Sequence, residues 1–97
     1  MLDIQRQQGR VTLVGRLQIE FLEEAKPALV QAAQSPGQLD LDLSLVEHVD
    51  TAGLQMIVAL LQSRSTAKPT SVIGLSAPLA RALELTGLDE LVASYLA

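Results

Sequence analysis

The sequence has no cysteine, a single histidine and only 2% aromatic residues. Without cysteine there are no disulfides and no thiolate ligands or nucleophiles. A histidine-based catalytic triad could use only His48, and no motif requires one, so we predict that the chain is not an enzyme. The carboxylates lack the regular spacing of a calcium loop, and the six glycines are isolated from one another. We therefore predict no metal site, no phosphate-binding loop and no cofactor.

Positive charge and long apolar runs are also scarce. Seven basic residues against eleven acidic ones give a net charge of −4, and the basic residues are scattered singly, which argues against nucleic-acid binding. The longest apolar run, 56–61, is far shorter than the ~20 residues that span a bilayer, so we expect no membrane insertion. Residues 1–10 lack the apolar segment of a signal peptide, so we expect a cytoplasmic protein. At 97 residues the chain is predicted to be one domain, 1–97.

Hydrophobic periodicity predicts a hairpin followed by alternating helices and strands. This order is typical of an α/β fold with a mixed sheet, right-handed crossovers and helices packed mainly on one side. The tail, 88–97, has both helical spacing and a run that suits a short strand, and the sequence leaves both open. The other predicted elements are an edge strand around 2–4, a strand over 11–17, a helix over 20–34, a strand over 39–43, a loop over 45–50, a helix from about 51 to about 64, a strand over 71–75, and a helix capped by Ser76 and closed by Gly87.

The most informative segment is 39–54, LDLDLSLVEHVDTAGL, where a strand leads through a loop into a helix. Asp50 and Thr51 stand at this corner, and either is a good helix cap. The corner also favours a second interpretation, because amide groups and the positive end of a helix dipole stabilise a phosphate there. A phosphorylated Thr51 would add about −1.5 to −2 charge, and a partner docked on the corner would then be released without unfolding of the domain.

The helix after this corner is apolar on two sides. Its core stripe is predicted to comprise Leu54, Ile57, Val58 and Leu61. The opposite side then carries Ala52, Met56, Ala59, Leu60 and Ser63. Such a face is either a docking surface, since exposed apolar patches often mark interfaces and methionine adapts to partners, or it is covered by another element of the domain.

Two motifs in this region, Asp42-Leu43-Ser44 and Asp50-Thr51-Ala52-Gly53-Leu54, resemble the signature of the STAS family. That family includes anti-sigma-factor antagonists and the cytoplasmic domains of sulphate transporters. The likeness extends to residues 14–17, which resemble the family's second strand, and to 76–88, which resemble its third helix. The resemblance implies a STAS-like mixed sheet of four to five strands with helices mainly on one side.

The resemblance also implies a site. In the antagonists, the residue after the motif aspartate is the phosphoacceptor for a partner that is both kinase and anti-sigma factor, and that position is Thr51 here. The predicted partner-binding residues are Asp50, Thr51, Ala52, Gly53, Met56 and Leu60. Asp42 and Ser44 are predicted to support the site. Two positions depart from the antagonists: Ala52 replaces a frequent serine, and Gln18 stands where an acidic residue is common.

Three functions follow as hypotheses. The first is a protein-binding regulatory module resembling an anti-sigma-factor antagonist, whose partner is a serine/threonine kinase-type anti-sigma factor and whose binding is switched by phosphorylation of Thr51. The second is a constitutive STAS subunit that supports the transporter ATPase of a lipid-transport ABC system. The third is an adaptor that binds a signalling kinase in a chemotaxis-like cluster.

Overall fold

The computed structural model describes residues 1–64 and 69–96. Over these ranges eight elements follow one another in the order that the sequence predicts up to the tail, where the chain forms a short helix. They are β1 (Leu2–Gln7), β2 (Arg10–Leu17), α1 (Ile19–Ala33), β3 (Leu39–Val49), α2 (Thr51–Ser63), β4 (Thr70–Leu75), α3 (Ala77–Thr86) and α4 (Asp89–Ala93).

The four strands form one mixed sheet in the order β1-β2-β3-β4. β1 and β2 form the predicted antiparallel hairpin, and β2, β3 and β4 are parallel. The tail contains both structures that the sequence left open. The short helix α4 is followed by a single parallel β-bridge between Val72 and Leu96. The amide of Val72 donates to the carbonyl of Tyr95 at 2.7 Å. The α/β fold with a mixed sheet is therefore confirmed, with four strands and a rudimentary fifth.

Alternating burial along the strands places the helices on one face of the sheet. In β2, Val11, Leu13 and Leu17 are buried, whereas Thr12 and Val14 between them are half-buried. The buried strand residues join the buried stripes of α1, α2 and α3 in one aliphatic cluster. The core therefore lies between the sheet and the helices, because alternate residues of each strand and one stripe of each helix are buried against each other there.

β3 is longer than the sequence predicts. The prediction of a loop over 45–50 is wrong, because the strand continues to Val49. Relative to β2, β3 carries one extra residue between Asp42 and Leu45 and another between Val46 and His48. Each extra residue is a bulge that interrupts the alternation of buried and exposed positions. The strand therefore lacks the period-two pattern that would reveal it in sequence.

A buried arginine ties the two long helices together at their carboxyl ends. Arg64, the C-cap of α2, is only 8% exposed. Its guanidinium donates to the carbonyls of Ala32, Ala33 and Ser35 at 3.1, 3.1 and 3.0 Å, and also to that of Gly37. These carbonyls belong to the last turn of α1 and the turn that follows it, where a helix leaves carbonyls without intrahelical donors, and that of Ala32 also accepts from the amide of Ser35 at 3.2 Å. A cation at this position also interacts favourably with the negative end of the α1 dipole.

Replacing this guanidinium tests its contribution to stability. We expect Arg64→Met to lower the free energy of unfolding by about 2–4 kcal/mol, because one buried and several partly buried carbonyls lose charge-assisted donors. The measurement is urea denaturation followed by circular dichroism. Arg81→Met, which removes an exposed guanidinium from α3, is the control and is expected to change stability by less than about 0.5 kcal/mol. Equal effects of the two substitutions would contradict this role of Arg64.

Candidate functional site

The carboxylate of Asp50 caps two helices at once. Its Oδ1 accepts from the amide of Gly53 in α2 at 2.8 Å, and its Oδ2 accepts from the amide of Ile19 in α1 at 2.9 Å. The amide of Asp50 in turn donates to the carbonyl of Leu17 at 3.3 Å. Asp50 is therefore the N-cap of α2, as one of the two sequence interpretations predicted, and Thr51 is the first helical residue rather than the cap.

Gly53 is at this corner because nothing larger fits. A Cβ on Gly53 would lie 2.0 Å from the carbonyl oxygen of Leu17 and 3.0 Å from its Cγ. The obstacle is backbone, so no change of rotamer relieves the contact. The first turn of α2 thus packs directly on the end of β2, and the buried Gly53 is a packing requirement of the corner.

Thr51 is exposed at the rim of a shallow groove between α2 and the end of α3. The groove has a volume of about 310 Å³, and among the described residues that line it none is charged. Gln55, Gln62, Thr86 and Leu88 belong to it and were not predicted from the sequence, although the first two follow Thr51 at helical spacing. The lining residues are Thr51, Leu54, Gln55, Val58, Ala59, Gln62, Thr86 and Leu88.

Leu60 does not lie on the open side of α2. It is only 5% exposed, and it lines, with Met56, a separate groove of about 380 Å³ between α1 and α2. The prediction that Leu60 is an outward-facing contact residue is therefore wrong, because α1 packs on that flank of the helix. Met56 is half-buried against the core, as is Ala52. Val58, predicted to be in the core, is likewise only half-buried.

Asp42 and Ser44 form a separate polar cluster in the middle of β3. Asp42 Oδ1 accepts from the hydroxyl of Ser44 at 2.7 Å and from its amide at 3.0 Å. These two hydrogen bonds, with a smaller contribution from the charge of Arg10, hold the pKa of Asp42 below its usual range although partial burial opposes the shift. A Cβ on Gly74 in β4 would lie 3.1 Å from Ser44 Cβ and 3.2 Å from Asp42 Oδ1.

This polar cluster is structural in its contacts and is not brought next to Thr51. Ser44 and Asp50 are six positions apart, with residues 45–49 of β3 between them, which at about 3.3 Å per residue corresponds to roughly 15–20 Å. The cluster lies where β3 and β4 shift register, between Leu41 and Asp42. Its hydrogen bonds therefore satisfy polar groups at an irregularity of the sheet.

The comparisons with known proteins identify the family to which this fold belongs. A family model described as "Mlab, STAS domain" matches residues 1–93. The chain belongs to the STAS domain family. A solved structure similar to this STAS domain is described as the crystal structure of an anti-sigma factor antagonist from Mycobacterium paratuberculosis. It is 24% identical, the match covers 94% of this chain and 80% of that chain, and the TM-score is 0.75. Likeness at that identity shows the shared fold. The search of curated proteins gave no significant match.

Neither a metal cluster nor a membrane span is found in the part of the STAS domain that the structure describes. Over residues 1–64 and 69–96, no group of three or more His, Asp or Glu side chains is placed to hold a metal ion. Within the same ranges no helix has both the length and the apolar character needed to cross a membrane.

The double cap makes a specific prediction about Asp50. In Asp50→Asn only one side-chain oxygen remains to accept, so either Gly53 or Ile19 loses its acceptor. We expect a loss of about 1–2 kcal/mol in the free energy of unfolding, measured by urea denaturation. Asp50→Ala, which removes both acceptors, should cost more. If Asp50→Asn is as stable as the wild type, the bond to Ile19 does not contribute.

The close approach at Gly53 predicts a larger effect. Gly53→Ala should cost at least about 3 kcal/mol, because α2 must shift away from β2 to admit a methyl group. Gly37→Ala is the matched control: Gly37 has a φ of 73°, and a Cβ there meets no atom within 4 Å. That control should cost only the left-handed strain of about 1–2 kcal/mol. Thermal and urea unfolding compare the two, and equal losses would refute the steric argument.

Proposed function

We propose that this STAS domain is a non-catalytic, cytoplasmic protein-binding regulatory module that docks a partner on the face of α2 beginning at Thr51, and that phosphorylation of Thr51 weakens the complex. The observation that carries the proposal is the exposed position of Thr51 at the rim of an uncharged groove. Its neighbours Asp50 and Gly53 are fixed by the corner itself. Thr51 is therefore presented at a constant position while remaining accessible.

The composition of α2 supports protein docking. No charged residue occurs between Thr51 and Ser63, although the helix has an exposed side that includes Gln55, Ala59 and Gln62. Surface helices normally carry charge on their open side. The centres of protein interfaces are instead depleted of charge, because burying an unpaired charge is costly.

The same features support phosphorylation as a switch. A phosphate on the first residue of a helix is stabilised by the amide groups and dipole of the first turn, so the fold tolerates it. A partner docked on the uncharged groove would have to desolvate about −1.5 to −2 charge beside the Asp50 carboxylate. The modification therefore acts on binding rather than on folding.

The choice of partner rests on the likeness to an anti-sigma factor antagonist together with Thr51 at the motif position. We propose a serine/threonine kinase-type anti-sigma factor as the partner of this domain. Ala52 leaves Thr51 as the only hydroxyl within the Asp50–Leu54 motif, so modification of this segment would be confined to one residue.

A second candidate is a constitutive STAS subunit of a lipid-transport ABC complex, in which Thr51 contacts the transporter ATPase and is never phosphorylated. The observation that favours it is that the matching family model is described as Mlab and not as an antagonist. Gln18 at the N-cap of α1, where the antagonists that the chain resembles commonly have an acidic residue, points the same way. In both candidates the partner docks on the surface at Thr51. They differ in whether Thr51 is phosphorylated.

Phosphorylation is tested directly. Purified protein is incubated with lysate of its source organism and ATP, and phosphorylation is mapped by mass spectrometry on the wild type and on Thr51→Ala. We expect phosphate on Thr51 in the wild type and none on the corner of the variant. Wild-type protein without phosphate on Thr51 would contradict the switch and favour the constitutive subunit.

A substitution that places a negative charge at position 51 tests the effect of the phosphate on docking. Thr51→Glu should remain folded by circular dichroism and lose co-purification with the partner kinase that the wild type captures from the same lysate, because a charge enters the uncharged groove. Ser63→Glu, an exposed hydroxyl residue at the other end of α2 and outside that groove, is the control and should bind as the wild type does. Retained binding by folded Thr51→Glu would refute the switch.

A further inference from the structure

The second half of β3 has a strand on only one side. β4 pairs with β3 from Leu39 to Leu43, and the chain then leaves the sheet, with the amide of Ser76 donating to the carbonyl of Leu43 at 3.1 Å. Within the described ranges, residues 44–49 of β3 pair with β2 alone. An edge of this kind leaves main-chain N–H and C=O groups open to another extended segment.

A furrow of about 450 Å³ lies between this edge and α3. The buried side of α3 carries Leu79 and Leu83, and the furrow is formed by the neighbouring side of the helix. Leu85 at its end is 81% exposed. The lining residues are His48, Val49, Ala77, Pro78, Arg81, Ala82 and Leu85. Its walls are therefore mostly apolar, with an unusually exposed leucine.

The described lining of the furrow contains a guanidinium and no carboxylate. Among the described residues that line it, His48 and Arg81 are the titratable ones, and no carboxylate is present. Arg16, exposed on β2, is the register partner of His48. Glu47 lines the separate furrow on the other side of the same edge, with Val14 and Leu45. In a chain with a net charge of −4, the described lining of this furrow thus carries a net positive charge from Arg81.

We propose that this furrow binds an extended, acidic segment of a partner protein. The segment adds to the open edge of β3 by main-chain hydrogen bonds, places an apolar side chain against Pro78 and Leu85, and sets carboxylates at Arg81 and His48. Six residues of edge accommodate a segment about 20 Å long. The inference rests on the proposed function only in that the domain binds a protein, and it does not require Thr51 to be modified.

The test uses a phage-displayed library of random linear peptides selected on the purified full-length chain. We expect the selected peptides to be enriched in Asp and Glu next to an apolar residue, and to lose at least about tenfold in affinity for Arg81→Glu, because a carboxylate then faces a carboxylate. Lys26→Glu is the matched control. It makes the same change of charge at an exposed residue of the α1–α2 groove, and the peptides should bind it like the wild type.

Four results would overturn the inference. Selected peptides without acidic residues, or peptides that bind Arg81→Glu unchanged, would remove the basic furrow as their site. Peptides that lose binding to Thr51→Glu but not to Arg81→Glu would occupy the groove of α2, which leaves the proposed function intact. A dimer in sedimentation experiments that Arg81→Glu dissociates would assign the furrow to a second copy of this chain.

Discussion

The carboxylate of Asp50 is the contact on which the rest of the candidate site depends. It joins the first turns of α1 and α2 through Ile19 and Gly53, and its own amide is bonded to the end of β2. Two parallel strands and the helices that follow them therefore meet at one residue. An acidic side chain suits this place, because both helices present their positive ends to it. Thr51 owes its fixed position to this arrangement.

The carboxyl ends of α1 and α2 are joined by a positive charge. The guanidinium of Arg64 binds the carbonyls that end α1, and burial lowers its pKa without removing its charge. α1 and α2 are thus held by an anion at their amino ends and a cation at their carboxyl ends, as the helix dipoles favour. The apolar seam between them then buries Leu60. Because α1 covers that side of α2, the exposed surface of α2 is the side that borders the groove next to the end of α3.

The sequence predicted what local chemistry determines and missed what depends on distant residues. Ser76 and Gly87 cap α3 as expected, and the latter has a left-handed φ of 75°, because a cap is set within one turn. The continuation of β3 was missed because a bulge is a property of two strands in register. The burial of Leu60 depends on where α1 packs. The bond from Ile19 to Asp50 spans thirty-one residues and has no local signal.

The two proposed surfaces flank the same corner and respond to charge in opposite ways. The groove at Thr51 has no charge among the lining residues that the structure describes, so it favours an apolar partner surface, whereas the furrow at His48 and Arg81 favours carboxylates. His48 precedes Thr51 by three residues of extended chain, which at about 3.3 Å per residue is roughly 10 Å and so comparable with the Debye length of about 8–10 Å at physiological salt. A phosphate on Thr51 would therefore disfavour docking on the groove through desolvation and also weaken the attraction of the furrow for an acidic segment. One modification at the corner would reduce binding at both surfaces without any movement of the fold.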